Sequence, residues 1–180
     1  HGNWGITMFP FVKEAVERGY VVVAPEYRGS TGYGEAHHRA IDYGGYEVDD
    51  VMSAMEYLKT LPHVDPERVG IMGWSHGGYI ALLSVFRQSH PFASAAAMVP
   101  VTNLVFRLSY KGPSYQWDFA TQKRIGGLPF EKRDLYIERS PDMTAGSWSR
   151  MFNTTGKSGA NRTLQIPLQR PAEFYRLRRD

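Results

Sequence analysis

The stretch Arg68-Val69-Gly70-Ile71-Met72-Gly73-Trp74-Ser75-His76-Gly77-Gly78-Tyr79-Ile80-Ala81-Leu82-Leu83-Ser84-Val85-Phe86 decides the fold. Its first five residues are a short apolar run entered through the turn signal Val64-Asp65-Pro66-Glu67, and they predict a buried strand. From Tyr79 onward the run is too long and too rich in Ala and Leu for a turn, and it predicts a buried helix. Between the two lies Gly73-x-Ser75-x-Gly77, the pattern of a nucleophile elbow. In such an elbow the two flanking glycines let strand and helix approach around a strained serine, whose hydroxyl is pushed out at the end of the sheet. The following helix starts beside that hydroxyl, so its positive end and opening N–H groups face any oxyanion formed there. The alternative for the same letters is a glycine-rich turn whose serine only caps the helix.

Upstream, Phe9, Val12, Ala15 and Val16 share one helical face while Lys13, Glu14, Glu17 and Arg18 share the other. Thr7 is the candidate cap of that helix and Gly19 its terminator. Tyr20-Val21-Val22-Val23-Ala24-Pro25 is β-branched without polar alternation, which predicts a strand covered on both faces of a parallel sheet. Helix, strand, helix, strand, helix in this order is an α/β arrangement.

The strand is followed by Glu26-Tyr27-Arg28-Gly29-Ser30-Thr31-Gly32-Tyr33-Gly34. Loops at carboxyl ends of strands bind ligands in open α/β sheets, and this one is either such a loop or a surface loop held by its aromatics. The adjacent His37 and His38 point apart on a regular element, and no carboxylate stands at ligand spacing, so no metal site is expected. Glu47 to Leu61 predicts an amphipathic helix with Val48, Val51, Met52, Met55 and Leu58 as its apolar stripe. Glu47, Asp49 and Asp50 in its first turn read as capping and solvated-face charges. Phe92 to Pro100 predicts a central strand, and Val101-Thr102-Asn103 leaves its carboxyl end. Leu104 to Arg139 is aromatic-rich and broken by glycines and prolines, as expected of short helices and loops walling a site.

The 180 residues suit one domain with a real core, and no run approaches the ~18 apolar residues of a membrane span. Without cysteine there are no disulfides or thiolate metal sites. Residues 1–122 carry 9 Lys/Arg against 12 Asp/Glu, whereas residues 123–180 carry 12 against 6. The net charge of +3 therefore comes from a tail of scattered cations, which does not form a nucleic-acid footprint. The chain opens on His1, and we expect its true beginning to lie further upstream. Residues 142–163 lose periodicity, Leu164-Gln165-Ile166-Pro167-Leu168 briefly recovers a strand-like pattern, and Gln169 to Asp180 holds four arginines. The expected organisation is thus a partial catalytic domain over residues 1–141 and a divergent, weakly ordered or frame-shifted tail over 142–180.

Five blocks taken together resemble the catalytic domain of the prolyl oligopeptidase family of serine peptidases. They are Gly19 to Gly34, Val64 to Gly70, Gly73 to Tyr79, Pro100-Val101-Thr102-Asn103 and Glu138-Arg139-Ser140-Pro141. The resemblance implies an α/β-hydrolase fold, a mostly parallel sheet with helices on both faces, truncated here at both ends. It also implies acyl transfer by a Ser-Asp-His triad on peptide or acyl-peptide amides, with simple esters often accepted and no cofactor. Matched residue by residue, Ser75 is the nucleophile and the backbone N–H of His76 is one oxyanion donor. His1-Gly2-Asn3 resembles the family's His-Gly-Gly loop, making the N–H of Asn3 the second donor. Val101 and Leu104 stand where the family lines its apolar pocket for the residue before the scissile bond.

The triad order Ser, acid, His is not completed. Leu164 to Leu168 resembles the start of the strand before the acid, but Gln169-Arg170-Pro171-Ala172-Glu173 follows, and no histidine occurs after His90. Three readings follow: a peptidase catalytic domain lacking its acid and base, a carboxylesterase on the same fold, or a truncated product that at most binds ligands. The implied partners are peptides or small acyl substrates, with neither nucleic acid nor membrane among them.

Overall fold

The computed structural model describes residues 10–87 and 89–140 and, for the backbone alone, the strands 156–158 and 161–163. Helix α1 spans Pro10–Glu17, with proline at a first-turn position where its missing N–H costs nothing. It stops where Gly19 turns to φ +85°: the Gly19 N–H donates to the Val16 carbonyl (2.9 Å) and the Tyr20 N–H to that of Ala15 (3.0 Å). Those two bonds are the Schellman closure that a glycine after a helix predicts. Val12 is buried, whereas Val16 is exposed, so the stripe of α1 is narrower than its sequence suggests. Thr7 and Phe9 lie outside the described residues.

Tyr20 to Pro25 departs from expectation. It forms no strand, and Tyr20, Val21, Val22 and Val23 are all exposed. A strand is a pairing, and no described strand lies beside this run, so its β-branched character finds no hydrogen-bonding partner.

The loop after it leads to the short helix α2 (Glu35–His38) and then to α3 (Tyr46–Lys59). Val48, Met55 and Leu58 of the α3 stripe are buried, with Met52 and Val51 half-buried beside them. Asp65 caps a 3₁₀ turn at Pro66–Arg68, its carboxylate accepting the Glu67 N–H at 3.0 Å. The chain then enters β1 (Gly70–Trp74), passes through Ser75 into α4 (His76–Phe86), and returns as β2 (Ser94–Met98). The two strands pair in parallel from Gly70↔Ser94 to Trp74↔Met98, with α4 as the crossover.

From the sequence, β1 reads as a buried strand and β2 as a central one. Among the described residues β1 is covered on one face, with Ile71 packed inward and Met72 and Trp74 exposed, while β2 leaves Ser94, Ala95 and Ala96 exposed. The all-apolar letters of β1 therefore overstate its burial here, because coverage depends on layers that a strand's own sequence does not supply.

The core divides into two parts bridged by α4. Tyr79 and Ile80 join Val48, Leu104, Leu108, Phe119 and Tyr136, while Val85 joins Met55, Leu58 and Phe92. Residues 104–139 form the expected short helices, α5 (Leu104–Ser109), α6 (Pro113–Ala120) and α7 (Arg133–Glu138). Asn103 caps α5 by accepting the Phe106 N–H at 2.8 Å. In the tail, β3 (Gly156–Ser158) and β4 (Asn161–Thr163) pair antiparallel, an element that its sequence did not announce. Leu164 to Leu168 lies outside the described residues. Among those described, no helix is long and apolar enough to cross a membrane.

Candidate active site

Ser75 adopts φ 54°, ψ −109°, a backbone that side chains rarely accept, and it does so between the last residue of β1 and the first of α4. The bend is held from both sides. The Ser75 N–H donates to the carbonyl of Met98 at the end of β2 (2.9 Å), and the Ser75 carbonyl accepts the Tyr79 N–H (3.0 Å). The hydroxyl makes no hydrogen bond to a described residue. It sits half-buried at the carboxyl edge of the sheet, beside the opening turn of a helix whose first N–H groups have no carbonyl a turn earlier to take them.

The glycines that permit this bend are not the two the motif suggests. A Cβ on Gly73 would collide with the Gly77 carbonyl group and the Gly78 nitrogen. One on Gly78 would meet the Met98 and Gly73 carbonyl oxygens at 3.0 and 3.1 Å. At Gly77 it would find open space among the described residues. The close contact is therefore made by Gly73 and Gly78, while no described residue constrains Gly77.

Beneath the elbow lies a buried polar cluster. The His76 ring is almost fully buried, among Tyr43 (centroids 4.6 Å apart), Tyr79 (5.4 Å) and Tyr27 (5.7 Å). Burial, with the charge of Arg107 adding to it, pushes its pKa down to about 3, so the imidazole is neutral near pH 7. Glu47, expected on a solvated face, is completely buried, with its Oε1 3.8 Å from His76 Nε2. It does act as a cap, since its carboxylate accepts the Gly44 N–H, but it does so from inside. Burial and hydrogen bonding with the Asp42 carboxyl push Glu47 up to about 7. Burial also raises Asp42, but hydrogen bonds with Glu47 and the Tyr46 N–H and the charge of Arg139 outweigh it, leaving that carboxyl below its usual range. Of the two carboxyls, Glu47 is therefore the one that holds its proton to higher pH.

Arg139 ties the cluster to α4. Its Nη1 donates to the carbonyls of Asp42 (2.5 Å) and Tyr43 (3.2 Å), while its own carbonyl accepts the buried Tyr79 hydroxyl at 2.7 Å. The next residue, Ser140, accepts the Leu104 N–H (2.9 Å) and donates to the Tyr136 carbonyl (2.7 Å). Arg139 and Ser140 therefore fix where α5 begins relative to the elbow.

The glycine-rich loop is secured by side chains rather than left open. Arg28 grips Asp50 with two bonds of 2.5 and 2.7 Å, and His37 and His38 sit 3.2 and 3.1 Å from the carbonyls of Tyr27 and Gly29. Among the described residues no group of three His, Asp or Glu is placed to hold a metal ion.

Of the residues singled out from the sequence, the structure brings together Ser75 and His76 at the elbow and Val101 and Leu104 in the core beside it. Leu104 lines a small cavity with Tyr43, Phe119, Leu135, Tyr136 and Arg139, whereas Val101 does not reach it. Asn3 lies outside the described residues. Sequence reasoning missed Glu47 and the tyrosines around His76. The available signal was Gly44-Gly45 ahead of Glu47, which lets the chain double back over its carboxylate.

Comparison with known proteins follows the same geometry. The model of the prolyl oligopeptidase family matches residues 8–145. The chain is 35% identical over 144 residues to the uncharacterized peptidase YuxL of Bacillus subtilis, covering 78% of this chain and 21% of that one. It is 41% identical over 130 residues to dipeptidyl peptidase 8 of Homo sapiens, covering 71% of this chain and 13% of that one. The solved structure of Pyrococcus horikoshii acylaminoacyl peptidase superposes with a TM-score of 0.55 at 26% identity, over 64% of this chain and 19% of that one. The chain therefore spans about a fifth or less of the length of these relatives. With an elbow serine between a parallel strand and its crossover helix, and a family match over three quarters of its length, the chain belongs to the prolyl oligopeptidase family of α/β-hydrolase peptidases.

Proposed function

We propose that this chain carries the nucleophile and one oxyanion donor of a serine hydrolase that cleaves peptide or acyl-peptide amide bonds. Ser75 Oγ attacks the carbonyl carbon, a base takes its proton, and the oxyanion is held by the N–H of His76 and, from the resemblance, of Asn3. The amine leaves with that proton, and water then hydrolyses the acyl-serine. The observation that carries this reading is Ser75's φ of 54° at the mouth of α4, strain that a simple capping serine does not need. The relatives' names, dipeptidyl and acylaminoacyl peptidases, support peptide amides as the substrate class.

The base is not supplied by the described residues. No described histidine is hydrogen-bonded to Ser75, His76 is buried and held neutral, and no histidine follows His90. We therefore propose that this chain alone is a slow nucleophile, retaining only what helix and binding site provide. Without its histidine, a serine triad loses on the order of 10⁴-fold or more. The test is labelling by a fluorophosphonate probe, compared with a full-length relative. We expect labelling slower by that order that disappears in Ser75→Ala. Labelling that survives Ser75→Ala overturns the assignment of the nucleophile, and fast Ser75-dependent labelling overturns the absence of a base.

A further inference from the structure

The helical segment after β2 carries positive charge that no described carboxylate neutralises. Arg107 and Lys111 lie one turn apart, on α5 and just beyond its end, and both are half-buried. The Arg107 guanidinium sits 6.0 Å from the Tyr110 ring centre and 5.6 Å from that of Tyr115; Lys111 Nζ lies 5.7 and 5.1 Å from the same rings. Neither cation forms an ion pair with a carboxylate among the described residues. The Nε of Arg107 is buried without a hydrogen-bond acceptor, and the rest of its guanidinium meets only neutral phenols, its Nη1 donating to the Tyr110 hydroxyl at 3.3 Å with the Tyr115 hydroxyl a further partner. Elsewhere in this molecule half-buried arginines are satisfied, as Arg28 is by Asp50 and Arg139 by Asp42. Taking a guanidinium partly out of water without a counter-charge is costly unless a ligand supplies one.

The corner that holds these groups is braced. Gln116 Nε2 donates to the carbonyls of Leu108 (2.9 Å) and Lys111 (2.8 Å), locking α6 against the end of α5. An aromatic path joins it to the elbow: Tyr115 to Phe119 (6.5 Å), Phe119 to Tyr43 (4.3 Å), Tyr43 to His76 (4.6 Å). The charge of Arg107 is felt at both His76 and Tyr43. The family resemblance implies an apolar pocket at Val101 and Leu104; Arg107 stands one helical turn beyond Leu104.

We infer that Arg107 and Lys111, framed by Tyr110 and Tyr115, form a subsite for a carboxylate of the peptide bound at Ser75. An acidic side chain and the free carboxyl terminus of a short peptide present the same chemistry there. The subsite deepens the proposed function and rests on it for the placement of the peptide.

The experiment measures binding by titration calorimetry at low salt on the full chain carrying Ser75→Ala, where no acyl chemistry takes place. The probes are acetyl-Ala-Ala-Glu-amide, acetyl-Ala-Ala-Gln-amide, acetyl-Ala-Ala-Ala with a free carboxyl terminus, and its amide. We expect the carboxylate of at least one matched pair to improve affinity roughly tenfold, an advantage that shrinks as salt rises. A gain in the Glu/Gln pair assigns the side chain, and a gain in the acid/amide pair assigns the terminus. The added substitutions Arg107→Gln and Lys111→Gln should abolish the gain, and Arg107→Lys should retain part of it, with circular dichroism confirming that each variant is folded. Equal affinities within both pairs, no binding of any probe at millimolar concentration, or a preference that persists in the double Gln variant overturns the subsite. Because Ser75 is absent throughout, these outcomes are independent of the labelling result that tests the nucleophile.

Discussion

Replacing Glu47 by Gln should make the protein more stable at neutral and alkaline pH, by an amount that grows with pH in a defined window. The carboxyl is fully buried and its pKa rises from an ordinary 4.5 to about 7, through burial and its bond with Asp42. A group raised on folding contributes stability that is fully present below its unfolded value and is lost as pH rises through the folded one. Below pH 4.5 the folded and unfolded chains both hold this proton, so Glu47 and a neutral Gln are equivalent apart from a constant offset. Between 4.5 and about 7 only the unfolded chain releases it, and the wild type falls behind by about 1.4 kcal/mol per pH unit, reaching about 3 kcal/mol above pH 7.

His76 runs the other way. Its pKa is depressed from 6.5 to about 3, so its contribution is present above 6.5 and lost as pH falls. In the wild type the two slopes oppose each other between pH 4.5 and 6.5 and flatten the profile, whereas in Glu47→Gln the histidine slope stands alone. Urea unfolding of both proteins at half-unit intervals from pH 4 to 8 gives the difference curve, whose rise between pH 4.5 and about 7 reports the proton on Glu47. A curve that is flat, or that falls with pH, would falsify the buried, proton-holding role of Glu47.

Gly73→Ala should prevent folding or cost more than about 3 kcal/mol in urea unfolding, because its Cβ meets fixed backbone of Gly77 and Gly78. Gly77→Ala, facing open space in the first turn of α4, should change stability by less than about 1 kcal/mol, and in the favourable direction. Equal effects at the two positions would contradict the assignment of the close contact. Tyr79→Phe removes the 2.7 Å bond to the Arg139 carbonyl from a buried ring and should cost about 1–2 kcal/mol by thermal unfolding.

What could be read from the chain itself was whatever is decided within one turn or one strand. The elbow, the glycine closure of α1, the Asp65-capped turn and the stripe of α3 each depend on neighbours a few residues away, and each is where the letters put it. The family blocks were legible for the same reason, each being a short run in a fixed order. Tertiary structure decided what depends on groups far apart in sequence. Arg139 reaches the Asp42 carbonyl across 97 positions and meets Tyr79 across 60, and these contacts close the space over Glu47 and His76. The same acidic residue that looks solvated in a first turn is thereby buried, and its proton affinity rises. Coverage of β1 and the lack of a strand beside Tyr20 to Pro25 among the described residues are likewise set by which layers lie alongside, since periodicity reports a segment's preference for burial and only packing supplies the partner. Gly78 rather than Gly77 bears the contact because β2's last carbonyl, brought in by parallel pairing, occupies the space on that side of the helix.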